Sequence, residues 1–162
     1  MQITTFVPAY GPVTGAAHAL YVIGGTPVLT LDGERKADGL ASGDRIISRD
    51  SGMTVLRSHC MGAMSVAPIH IKAGALGPNR PETDVTVLPE SCILLRDWRA
   101  TELTGLSAAL VPAERLVDGK NIVQGAEAEV TVYELGFERP HVIYVAGLEV
   151  GPLAGAPGTT ED

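Results

Sequence analysis

Aromatic side chains are scarce in this chain: Phe, Trp and Tyr together supply 4% of the residues, against 45% for the hydrophobic set as a whole. A core must then be built from Val, Leu, Ile and Ala, and the branched members of that set suit the pleated surface of a strand. Charge is missing from the opening, where the first charged side chain is Asp32. Exposed surfaces normally carry Lys and Glu, so this opening is expected either to bury itself against its own chain or to dock on a neighbour. No basic run is present: the net charge is −7, and Lys and Arg are scattered. Phosphate contacts supply most nucleic-acid affinity, so neither nucleic acid nor an anionic membrane is an expected partner. No apolar run approaches the ~20 residues of a spanning helix. The opening also lacks a basic n-region, and Pro8, Gly11, Pro12, Thr14 and Gly15 interrupt it where a signal peptide needs an unbroken apolar stretch. That leaves the compartment open, cytoplasmic or within a particle. Cysteine is limited to Cys60 and Cys92, with no second Cys or paired His at ligand spacing. Two buried thiols or one disulfide fit this pattern, and no metal or cofactor is expected.

Glycine and proline are plentiful, 19 and 11 in 162 residues, which implies one domain with many turns and few long helices. From Pro27 the pattern is that of strands. "PVLTL" and "ERKA" flank Asp32-Gly33, a pair that suits a two-residue type I′ hairpin turn. "DRIISRD" and "MTVLRSH" around Ser51-Gly52 predict a second hairpin, and "APIHIKAG", "DVTVL" and "CILLRDW" three further strands. After Trp98, "VPAERL" is the one segment read as a helical turn; "EVTVYELGF" and "HVIYVAGLEV" return to strand. The expected organisation is an uncharged arm over residues 1–20, a β domain over 21–153, and a loose acidic tail over 154–162.

The order of "GTPVLTLDGERKADGLASGDRIISRDSG", "PIHIKAGALG" with "RPETDVTVLPESCILL", "LVPAERLVDGKNI" and "EVTVYELGFERPHVIYVAGLE" resembles the bacterial Hint domain, the hedgehog/intein fold. The likeness runs from about Gly25 to Leu153. It implies an all-β, pseudo-twofold flat horseshoe of short strands and hairpins, with at most one or two helical turns, that brings the two chain ends together. It also implies a chemistry. In active members a Cys or Ser a few residues before the Gly-Thr attacks the preceding carbonyl and exchanges the amide for an ester or thioester.

Each position that the resemblance assigns to this reaction holds an unsuitable residue. The nucleophile position is Tyr21, whose phenol oxygen stands too far from its own backbone to close the small ring. The Thr/Ser-x-x-His element corresponds to "LPES", with Leu88 for the hydroxyl and Ser91 for the imidazole, and an alcohol cannot act as acid and base near neutrality. His141 stands one residue out of register near the last strand, with Pro140 in the matching place, and a one-residue slip turns a side chain to the other face unless a bulge corrects it. Ala146 occupies the place of a closing amide. Asp84 matches an acidic position, but its first reading is a turn or strand-edge residue.

Other constellations are weaker. Ser91 lacks a Gly-x-Ser-x-Gly elbow, so a triad with His59, His70 or His141 and Asp84 is not supported. His59, Cys60 and His70 fit no standard zinc spacing; His70 should project outward between two inward isoleucines. Trp98 and Arg99, with Tyr10, His18 and Leu20 of the opening, are the candidate interface residues, since aromatics and arginine concentrate binding energy. The reading is a catalytically inactive Hint-like module for protein docking, in a larger assembly such as a virus-like or secretion-related particle or in a homo-oligomer. The alternative is self-cleavage through an atypical nucleophile such as Thr26 or Ser91, and a small ligand in a vacated cleft is a third possibility.

Overall fold

A computed structural model of the protein describes the backbone of residues 7–8 and 18–151 and the side chains of 19–151. Tyr10 and the segment 154–162 lie outside the described residues, and of His18 only the backbone is described. The strands are β1 (Val7–Pro8), β2 (His18–Ile23), β3 (Pro27–Thr30), β4 (Gly33–Lys36), β5 (Arg45–Ser48), β6 (Gly52–Val55), β7 (Ser58–Val66) and β8 (Ile69–Ile71). They continue as β9 (Val85–Val87), β10 (Cys92–Leu95), β11 (Ala109–Pro112), β12 (Ile122–Gln124), β13 (Ala128–Phe137), β14 (Ile143–Val145) and β15 (Leu148–Gly151). They form three antiparallel sheets: β1-β7-β13-β2, then β11-β10-β15-β14-β3-β5-β6 with β4 on β3, and β12-β8-β9. The all-β expectation holds. The main core is aliphatic, as the shortage of aromatics requires, with Val28, Ile46, Ile93, Leu135, Ile143 and Leu148 all wholly buried. His70 is exposed between buried Ile69 and Ile71, as the alternation predicts. Cys60 and Cys92 are free, buried thiols, and burial pushes Cys92 up to about 11.

The sequence reading did not include β7, β11 or β12, and "MTVLRSH" is divided between β6 and β7; three further details also differ. In the first hairpin Thr30 pairs with Gly33, so Leu31 and Asp32 form the loop and only Gly33 takes positive φ, at 103°. The Thr30 hydroxyl donates to Gly33 O at 2.6 Å and accepts from Asp32 N, which holds Asp32 out of the type I′ conformation. "HVIYVAGLEV" is a hairpin and not one strand, because Ala146 and Gly147 take φ of 51° and 87° and turn the chain between β14 and β15. "VPAERL" does form a 3-10 turn (Ala113–Leu116), but an α-helix, α1 (Trp98–Thr104), precedes it. Asp97 caps α1 by accepting from Arg99 N, and Gly105 ends it in the left-handed conformation. Among the described residues no helix is long and apolar enough to cross a membrane.

Candidate functional site

β2 is an edge strand whose register against β13 sets Tyr21 opposite Glu134, and β13 in turn sets Glu134 opposite Cys60 of β7. The Tyr21 hydroxyl donates to Glu134 Oε2 at 2.7 Å. Burial, reinforced by that carboxylate, raises the phenol far above its ordinary value, so it holds its proton at any physiological pH. Burial likewise pushes Glu134 up, against the opposing pull of the Tyr21 hydrogen bond. Glu134 is 1% exposed, and its Oε1 has no hydrogen-bond partner among the described residues. Sequence reasoning missed Glu134. A glutamate inside "VYELGF" carries no signal of its own, and only the register reveals its partner.

The turn after β9 brings in the second set. Leu88 is wholly buried in a small apolar cluster with Met64, Val66 and Val132, against which Tyr21 packs. Ser91 N closes the turn onto Leu88 O, and Ser91 itself is 2% exposed. Tyr21, Thr26, Thr86, Ser91, Val145 and Val150 line one cavity of about 10 Å³, room for roughly one water. The fold thus gathers Tyr21, Leu88 and Ser91, and Ala146 follows directly on Val145 of the cavity wall. Among the described residues this cavity is well below ligand size, since ligand sites run to about 300 Å³ and more.

His141 is held elsewhere. It is buried, its Nδ1 donates to Asp50 Oδ2 at 2.8 Å, and its ring meets Phe137 edge-on. Burial pushes the Asp50 carboxyl up, but the Val142 N–H, the Ser48 hydroxyl and His141 outweigh it and keep the group below its usual range. Ser48 also meets this ring at Nδ1, at 3.4 Å, so Ser48, His141 and Asp50 share one ring nitrogen and do not form a relay. Asp84 accepts from Ala73 N, a turn role, and His59 bonds Ala37 O through Nε2 while stacking on Tyr133. Among the described residues no group of three or more His, Cys, Asp and Glu gathers to hold a metal.

Of the expected interface residues, Leu20 is a correction: at 1% exposure it belongs to the core, because alternation in β2 turns it inward beside Val22. Trp98 is 64% exposed, with the Arg99 guanidinium 4.8 Å from its ring centroid. Arg99 also pairs with Asp97 and donates to Ala75 O, so its charge is already engaged.

Comparison with known proteins supplies the context for this geometry. No curated protein sequence matches the chain. An intein-like domain from Clostridium thermocellum matches it at 12% identity with a TM-score of 0.53, over 82% of this chain and 98% of that one. The MchDnaB-1 intein, also at 12% identity, matches with a TM-score of 0.50 over 81% and 98%. At this identity the likeness is one of fold. The family profile of the Hint domain matches residues 22–154, and the chain therefore belongs to the Hint-domain family.

Proposed function

We propose that this Hint domain has lost self-processing and serves as a structural or protein-docking module, as one component of a larger assembly such as a virus-like or secretion-related particle. The observation that carries the proposal is the Tyr21 hydroxyl committed to buried Glu134 at 2.7 Å. A phenol whose proton is held this firmly is no nucleophile, and among the described residues no imidazole lines the cavity beside it. Leu88 and Ser91 supply neither the twisting hydroxyl nor the acid that an acyl shift needs. In this reading the docking element is the uncharged arm ahead of β2 apart from Val7–Pro8, which pair with Ala63 and Gly62 of β7 in the chain's own sheet, and it acts by addition of a strand to a neighbouring sheet edge.

One observation favours the alternative, self-cleavage by an atypical nucleophile: the hydroxyl-bearing residues Thr26 and Ser91 both line the cavity. Native mass spectrometry of the full chain, with and without dithiothreitol or hydroxylamine, separates the two. The expected result is one intact species, alone or as a defined oligomer; fragments released near Leu20-Tyr21 overturn the inactive reading. Deletion of residues 1–19 should abolish assembly and leave the fold, and assembly that persists removes the arm from the proposal.

A further inference from the structure

The eight-stranded sheet directs Val28, Ile46, Ile143, Val145, Leu148 and Val150 into the core. Strand alternation then sends Leu29, Ile47, Tyr144 and Glu149 to the opposite face, with Met53 joining them opposite Ile47. Leu31, at the hairpin tip beside this strip, is 48% exposed, and Met53 is 41% exposed. In the middle of the face Glu149, 4% exposed, accepts from three guanidiniums: Arg96 Nη2 at 2.7 Å and Arg80 Nη2 at 3.3 Å on Oε1, and Arg49 Nε at 2.8 Å on Oε2.

One carboxylate therefore stands against three positive charges, in a chain whose net charge is −7. Among the described residues no other carboxylate pairs with these arginines. A single well-placed guanidinium suffices to compensate a buried carboxylate, and the excess here is outward: the Arg49 and Arg96 side chains are 42% and 44% exposed. Each keeps further N–H donors beyond the one that Glu149 uses.

We propose that this face is a docking surface for an extended segment of a partner protein that carries carboxylates and apolar side chains. Its carboxylates pair with Arg49 and Arg96, and its apolar residues cover the strip from Tyr144 to Leu31 and Met53. Charge complementarity selects this occupant. A second copy docked with its arginine cluster on this one would set arginine against arginine, which disfavours a twofold pairing centred on Glu149. The inference deepens the docking reading above and rests on it only in taking the chain to act by binding. The arm and the sheet face are separate surfaces.

The test is fluorescence anisotropy on the full chain with two labelled probes, a peptide alternating Glu and Leu and a control alternating Lys and Leu. The acidic probe should bind saturably and weaken with added salt, and the control should not bind. Arg96→Gln, and Arg49→Gln with Arg96→Gln, should weaken the acidic probe by about tenfold or more, and Leu31→Ser with Met53→Ser should weaken it several-fold. Thermal unfolding checks that each variant is folded, and the single Arg96→Gln variant carries the test if the double variant is not. No saturable binding, equal binding of both probes, wild-type affinity in the folded variants, or equally tight binding of a single-stranded DNA oligomer overturns the proposal. Intact mass reports self-cleavage separately, so failure of this face leaves the inactive reading standing, and the reverse.

Discussion

A buried glutamate facing a phenol is the most unusual choice of residues in this chain. Because Glu134 is raised in the folded state, chiefly by burial, folding binds a proton more tightly than the unfolded chain does. The stability linked to this group is complete below the unfolded carboxyl value and is lost as pH rises through the folded one. Glu134→Gln keeps an acceptor for the Tyr21 hydroxyl and removes the buried charge. It should therefore raise stability at pH 7, with the gain shrinking as pH falls into the ordinary carboxyl range when urea midpoints are compared across pH. Tyr21→Phe acts in the other direction: it strips a buried carboxylate of its donor and should cost about 1–3 kcal/mol at pH 7. In the Glu134→Gln background the same change should cost less, so a double-mutant cycle should return a coupling of about 1 kcal/mol. Tyr21, Leu88 and Ser91 were singled out in the sequence by ordered motifs. Glu134 was not, because cross-strand partners are set by register, which a single strand does not encode.

At the scale of elements, alternation and Gly turns were enough to place most strands and the β5–β6 hairpin. They failed where a turn lacked its usual residue. Ala146 at φ 51° gives no warning in sequence, since positive φ in a non-Gly residue is uncommon. Helix α1 escaped because seven residues are too few for a helical period to show, although Asp97 and Gly105 bracket it. The β14–β15 turn is also tightly enclosed: a Cβ on Gly147 would stand 2.7 Å from Glu82 Cγ and 2.9 Å from Asn79 O. Gly147→Ala should then cost about 1–2 kcal/mol for its backbone and about 1–3 more for the overlap. Gly33→Ala, where the site of a Cβ is open, should cost only the backbone part. Denaturant midpoints at unchanged m-value would show the difference.

The whole molecule gathers what the sequence disperses. Lys and Arg look scattered along the chain, yet the fold collects Arg49 after β5, Arg80 from the β8–β9 connection and Arg96 after β10 around Glu149. No local window could reveal this, since the four residues meet only once the sheet order β10-β15-β14-β3-β5 is set. The same cluster separates two roles. Removing one exposed arginine leaves Glu149 with two partners, so Arg96→Gln should shift stability by less than about 1 kcal/mol, as partly exposed pairs do. Removing the carboxylate is a different perturbation: Glu149→Ala leaves three guanidiniums crowded together, Arg80 among them with its Nε already buried and unpartnered among the described residues. Losing the buried acceptor costs about 1–3 kcal/mol, since Arg49 and Arg96 stay 42% and 44% exposed, and mutual repulsion of the arginines adds to it. Glu149→Ala should accordingly unfold at far lower urea than Arg96→Gln. Added salt should recover part of the loss, because screening weakens repulsion among exposed charges. A Glu149→Ala variant as stable as the parent would mean that the carboxylate does not organise the three loops, and that packing, with the Leu94 carbonyl for Arg80, holds the arginines.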